Sequence, residues 1–273
     1  MNRLYYRLRQ TLVRRNQRRL DRLLPELAKI TKDPRVAEII EYRERYGPAM
    51  IPLVDGRETG ESAKSAPIKR DGEWRYTEWH GTRIFWPPML SEHAITDSFA
   101  TAVTEQHPSS PHRYEHDPSS PLQGDWAILV GASDCYFAAT IAARFRKLIV
   151  LEPDPRWRAT MERTLRYAGV EHEIVPFFAG SSTNGNAVTL DSLVSGSEER
   201  VSFIQTDVEG AELDVLFGAE RILSTHRTSA SICCYHTSTQ AQEVWDFLSG
   251  RGYDTRYSPG YLDPMTPKRL VYP

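Results

Sequence analysis

The chain has 273 residues, 40% hydrophobic and 26% charged, which is enough apolar material to pack one α/β domain with an extension. A formal net charge of −2 excludes a protein built chiefly to neutralise nucleic-acid phosphates. The sequence has no run of about 18 apolar residues, no signal-peptide pattern, and a cysteine set (Cys135, Cys233, Cys234) unsuited to a disulfide framework, so a cytoplasmic location is expected.

Residues 1–46 read as a basic helical arm. Arg3, Arg7, Arg9, Arg14, Arg15, Arg18, Arg19 and Arg22 accompany apolar residues at near-helical spacing. Pro25 is expected to break or kink this helix, and a second one follows over about 33–46. Such an arm packs on the main domain or on a twin subunit in a homodimer; peripheral contact with anionic lipid is the alternative.

Residues 47–114 read as an irregular, substrate-covering segment carrying a β-hairpin and a lid loop. The runs Trp74–Trp79 and Thr82–Trp86 flank a His80-Gly81 turn, and Trp74, Tyr76, Trp79 and Trp86 are assigned to hairpin packing. Residues 107–121 hold two Pro-Ser-Ser-Pro copies and form a loop, read as a lid. His107, His112, His116, Glu115 and Asp117 gather there without the spacing that fixes metal ligands, so no metal is assigned to them.

The rest of the chain, 115–273, alternates short apolar runs with helical patterns, the mark of βαβ units. Strands are expected at about 126–131, 148–152, 172–178, 202–207 and 229–235, with helices at about 135–145, 155–168, 212–224 and 239–250. Two last strands, about 253–258 and 268–272, close the chain as an antiparallel pair. The expected fold is a doubly wound α/β domain around a mostly parallel, seven-stranded sheet.

Three strand ends carry the chemistry. The first strand runs into Gly131-Ala132-Ser133-Asp134, small residues that let a ligand approach the backbone at a helix start. Glu152-Pro153 ends the second strand about 20 residues on, where a carboxylate meets ribose hydroxyls. This pair alone does not separate one nucleoside cofactor from another. The fourth strand delivers Asp207 and Glu209 to the ligand side of the sheet, and Gly210 permits the turn into the next helix. Two acids at a strand end are costly unless something cationic or hydrogen-bonding meets them.

The segment Asp207-Val208-Glu209-Gly210-Ala211-Glu212, followed by Leu216-Phe217-Gly218-Ala219, resembles the signature of the FkbM-type methyltransferases. Glu152-Pro153-Asp154-Pro155, Thr189-Leu190-Asp191 and the strand ending Tyr235-His236 resemble the same family in the same order. The likeness covers about 124–258. It departs at Leu129 and Gln205, where the family usually has an acid and a lysine, and at Ser133 and Cys135, where it has Asn and Gly.

The resemblance implies a class I, Rossmann-like fold, S-adenosyl-L-methionine as cofactor, and methyl transfer to a hydroxyl of a sugar, glycolipid or secondary metabolite. It implies cofactor contacts from Gly131, Ala132, Ser133, Asp134, Tyr136, Glu152, Pro153, Ala179 and Asp207. His236, Asp207 and Glu209 are the catalytic candidates, with His236 as the base. Asp207, Glu209 and His236 could also hold a divalent cation, a reading we do not favour. The rival readings are a non-catalytic descendant of the fold and an NAD-linked oxidoreductase, which would show a glycine-rich turn and a Tyr-x-x-x-Lys pair.

Overall fold

The computed structural model describes residues 3–262 apart from 116, 118–120, 197, 226 and 238, and for 3–16 the helical path alone. Helix α1 (Arg3–Thr31) runs through Pro25 without ending there, contrary to the expected break. Helix α2 (Pro34–Tyr46) packs against it: Leu20, Leu24 and Leu27 meet Val36 and Ile39, and the largely buried Arg43 bonds Gln17 Oε1 at 2.7 Å. That packing offsets the hydrogen bond a proline removes. Asp33 caps α2 through the backbone N–H of Arg35 and accepts from Tyr261 Oη, tying the arm to the far end of the chain.

Residues 47–114 are more regular than the sequence suggests. Helix α3 (Val54–Lys64) was not expected, because two glycines lie in its short run. Gly60 proves to be a packing residue, since a Cβ there would come 2.3 Å from Thr104 Oγ1. Strands β1 (Lys69–Asp71), β2 (Trp74–Trp79) and β3 (Thr82–Trp86) form an antiparallel sheet in that order. The expected hairpin is present, and its two-residue turn has φ 47° at His80 and 82° at Gly81, the twist that hairpins favour. Helix α4 (Glu92–Glu105) is capped by Ser91 and lays Ile95, Phe99 and Val103 on Ile84 and Trp86. The hairpin aromatics are packing residues: Trp86 is fully buried and donates to Thr77 Oγ1 at 2.9 Å.

The main sheet holds β4 (Gly124–Val130), β5 (Phe145–Leu151), β6 (Glu171–Val175), β9 (Val201–Thr206) and β10 (Ser229–Ile232). A small pair, β7 (Phe178–Ala179) and β8 (Ala187–Val188), lies between β6 and β9 in the chain. The helices are α5 (Tyr136–Ile141), α6 (Pro155–Ala168), α7 (Leu190–Leu193), α8 (Glu212–Phe217), α9 (Glu220–Thr225) and α10 (Gln240–Ser249). The sheet order is β10-β9-β4-β5-β6 and every pairing is parallel.

Alternate residues of each strand serve opposite layers, which is why the strands read as unbroken apolar runs. Ile128, Val130, Ile149, Leu151 and Ile204 face α7 to α10. Ala127, Leu129, Leu148, Val150 and Phe203 face α5 and α6. This is the doubly wound, Rossmann-like α/β fold.

Three expectations need correction. Among the described residues the sheet has five strands, not seven: 253–258 forms no strand, and 268–272 lies outside the described residues. The expected helix 212–224 is two helices, because Gly218 sits against the carbonyl of Gly180, where a Cβ would come 2.1 Å from that oxygen. Asp191 then caps α9 by accepting from Arg221 and Ile222 backbone N–H, so the Thr-Leu-Asp step has a structural job. The fifth strand stops at Ile232 instead of running to 235.

Candidate active site at the sheet switch point

Strands β5 and β6 lie to one side of β4, and β9 and β10 to the other. The crevice of such a sheet opens where β4 and β9 end side by side. The two turns touch there: Gly131 has φ +80°, and a Cβ on it would lie 1.9 Å from the carbonyl oxygen of Asp207. Only glycine lets the loops approach this closely. Beyond it, Ser133 (φ 26°) and Cys135 (φ 66°) hold left-handed conformations that cost non-glycine residues energy, a concentration of strain typical of ligand loops.

Asp207 is the hub. Tyr114 Oη donates to its Oδ2 at 3.0 Å, and Tyr235 Oη lies at 3.4 Å from Oδ1. His112 Nε2 lies 3.5 Å from Oδ2, and His236 Nε2 lies 3.4 Å from Oδ1. Burial alone would raise this carboxyl, but the two histidines and Tyr114 outweigh it and hold it well below the usual carboxylate range.

His236 stands between two carboxylates, with Nδ1 3.0 Å from Glu212 Oε1. Burial disfavours its cation, yet Asp207 and Glu212 prevail and raise it to about 9. Glu212 is fully buried and accepts from the N–H groups of Val208 and Gly210, so it fastens the turn that presents Asp207. Gln240 bridges the pair, its Oε1 accepting from His236 N and its amide donating to Glu212. Glu209 differs in kind: its side chain is 93% exposed, and it reaches His236 only at 4.0 Å.

The histidines of the Pro-Ser loop part company. His112 turns inward to Asp207 and is 3% exposed, with Tyr235 Oη 2.9 Å from its Nε2. Its imidazole is raised: burial opposes the cation, but Asp207 and Glu105 favour it more. Glu115 pairs instead with Arg144 at 2.5 Å, and His116 lies outside the described residues.

A cavity of about 50 Å³ lies between the first loop and Asp207. Gly131, Ala132, Ser133, Asp134, Tyr136 and Asp207 line it, joined by Glu105, Tyr114, Phe137 and Gln205. Burial and the neighbouring Glu105 raise the Asp134 carboxyl to about 7, although it accepts from Tyr136 N. Glu152, Pro153 and Ala179 do not line this cavity. Glu152 Oε1 closes a turn on Asp154 N at 2.8 Å, and Ala179 packs on the core.

The donors suit S-adenosyl-L-methionine, whose ammonium and sulfonium are cationic and whose carboxylate needs donors. Glu105, Asp134 and Asp207 line the cavity and could meet the cations. Gln205 Nε2 is buried with no hydrogen-bond partner among the described residues and could donate to the carboxylate. Room is the limit: small-molecule sites have about 300–1,000 Å³, and Tyr114 fills the crevice through its bond to Asp207.

Sequence reasoning missed His112, Tyr114, Glu105 and Gln240, which reach the site from outside the strand-end motifs. His112 was visible as a histidine in a polar loop, but nothing local shows that the loop folds inward. Glu212 was legible as a helix-start acid, and its contact with His236 was not.

Fold and site together define a Rossmann-like α/β domain with a carboxylate hub at its switch point. Residues 171–255 match the family described as methyltransferase FkbM domain. No curated protein matches the chain. The chain is similar to methyltransferase FkbM from Methylobacillus flagellatus KT, with 18% identity and a TM-score of 0.45 over 87% of this chain, and it spans 61% of that structure's length. It is also similar to an rRNA methylase from Streptococcus thermophilus, with 15% identity and a TM-score of 0.33 over 50% of this chain and 75% of that one. Among the described residues, no helix is long and apolar enough to cross a membrane.

Proposed function

We propose that the chain is an S-adenosyl-L-methionine-dependent O-methyltransferase acting on a hydroxyl of a sugar, glycolipid or secondary metabolite. One observation carries the reading: Asp207, inside the matched segment, faces the strained Gly131–Cys135 turn across a cavity lined by carboxylates and an unpartnered amide.

The cofactor supplies an electrophilic methyl group on its sulfonium. The first loop and Gln205 hold the methionine end, and Glu152, which follows β5, takes the ribose. Alignment of acceptor oxygen, methyl and sulfur supplies most of the acceleration. Asp207 and His236 orient the acceptor hydroxyl, and exposed Glu209 meets the acceptor from outside. His236 is a donor at neutral pH and becomes the base as its proton leaves near pH 9.

Calorimetric titration with S-adenosylhomocysteine, NAD⁺ and the Asp207→Ala variant tests the reading. Micromolar binding of the first alone, weakened in the variant, supports it; a radiolabelled-methyl screen of hydroxylated acceptors follows. Absence of S-adenosylhomocysteine binding would overturn it in favour of a non-catalytic protein.

A further inference from the structure

We propose that His112, Asp207 and Cys233 form a binding site for one borderline divalent cation of the zinc type. Three separate stretches of chain bring these donors together: the loop before β4, the end of β9 and the residue after β10. Their donor atoms all lie within 4.8 Å of one another. His112 Nε2 is 3.5 Å from Asp207 Oδ2 and 4.0 Å from Cys233 Sγ. Tetrahedral zinc with usual bond lengths needs edges of about 3.4 Å from nitrogen to oxygen and about 3.6 Å to sulfur. The two edges from the histidine therefore lie within a few tenths of an ångström of those values, and the Asp207–Cys233 edge is at most 4.8 Å.

The chemistry of the set selects the ion. Imidazole, carboxylate and thiolate together suit zinc and its late first-row neighbours, whereas magnesium and calcium take oxygen. Charge agrees: a neutral imidazole, a carboxylate and a thiolate cancel a dication, so a complex buried among residues 3% and 5% exposed (His112 and Cys233) carries no net charge. Three protein ligands leave a fourth position, and Tyr235 Oη, 2.9 Å from His112 Nε2, marks where that ligand lies.

The competing set of Asp207, Glu212 and His236 is already spent. Glu212 accepts from two backbone N–H groups and Gln240, and His236 is ion-paired on both sides. Binding at the proposed site exchanges the thiol proton of Cys233, and any proton on His112 Nε2, for the metal; both leave to solvent.

This inference stands apart from the methyl-transfer reading, with which it shares only Asp207. The test uses the full chain, stripped with a chelator and titrated with Co²⁺ and with Zn²⁺, the cobalt titration followed by absorption. One equivalent of each ion and a thiolate-to-cobalt charge-transfer band in the near ultraviolet are expected. Cys233→Ser should abolish the band and weaken zinc binding by about 100-fold or more, while Cys234→Ser keeps both. His112→Gln, with the sulfur intact, should also lose about 100-fold and serves if Cys233→Ser does not fold. No stoichiometric binding, or a band that survives Cys233→Ser, overturns the site. S-adenosylhomocysteine titrated into the same stripped samples reports on the cofactor separately.

Discussion

His236 Nε2 lies 3.4 Å from Asp207 Oδ1 while its Nδ1 lies 3.0 Å from Glu212 Oε1, so one imidazole bridges the end of β9 and the start of α8. The bridge joins the exposed chemistry of the strand end to a fully buried carboxylate beneath it. Disturbing either acid changes the charge state of the ring.

Stability in the metal-free protein should carry this signature. The folded value of His236 exceeds its unfolded value, so its contribution is full below pH 6.5 and is lost as pH rises to about 9. The melting temperature of the wild type should fall across that window, and the fall should be shallower in His236→Gln. Equal slopes in the two proteins would show that the ring is not charged in the fold.

Replacing Asp207 with Asn keeps the shape and removes one of the two anions. The His236 titration followed by NMR should then move down from about 9 toward 6.5. An unmoved titration would assign the shift to Glu212 alone.

Gln205 offers a test that separates folding from binding. Its Nε2 is buried without a partner among the described residues, so the protein without ligand gains nothing from it. Gln205→Leu should keep or raise the melting temperature, and S-adenosylhomocysteine affinity should fall roughly tenfold, about 1.4 kcal/mol. A drop in melting temperature with unchanged affinity would make the amide structural.

Two glycines with positive φ should respond very differently to alanine. Gly72→Ala meets no atom within 4 Å and should lose about 1–2 kcal/mol for its backbone conformation alone. Gly131→Ala would drive a methyl into the Asp207 carbonyl and should unfold the crevice or abolish binding. Chemical denaturation of both variants reads the contrast.

Thr77 does not line the crevice and controls for it. Its hydroxyl accepts from the fully buried Trp86 indole N–H. Thr77→Val should cost about 1–3 kcal/mol by stranding that donor, with S-adenosylhomocysteine binding unchanged.

The parts of this molecule legible in the sequence share one property: their cause is local. Strand β4 showed as Ala127 to Val130 because a doubly covered strand must be apolar on both faces. The hairpin showed through His80-Gly81, whose turn needs positive φ. Asp207 showed because an acid ending a buried strand needs an explanation. What stayed hidden depends on pairs far apart in the chain. Nothing near Gly60 reveals Thr104, nothing near Gly218 reveals the Gly180 carbonyl, and nothing near His112 reveals Asp207 or Cys233. That Pro25 does not end α1 was hidden for the same reason, since the packing that sustains the helix lies on α2.

Tyr114 is a wall common to two spaces. It lines the crevice of about 50 Å³ and also a cavity of about 500 Å³ bordering β10, where Ser231 Oγ donates to the Tyr114 carbonyl. A guest in either space that displaced Tyr114 would alter the other space. Their occupancies would then be thermodynamically linked: whatever one guest did to the affinity of the second, the second would do in equal measure to the first.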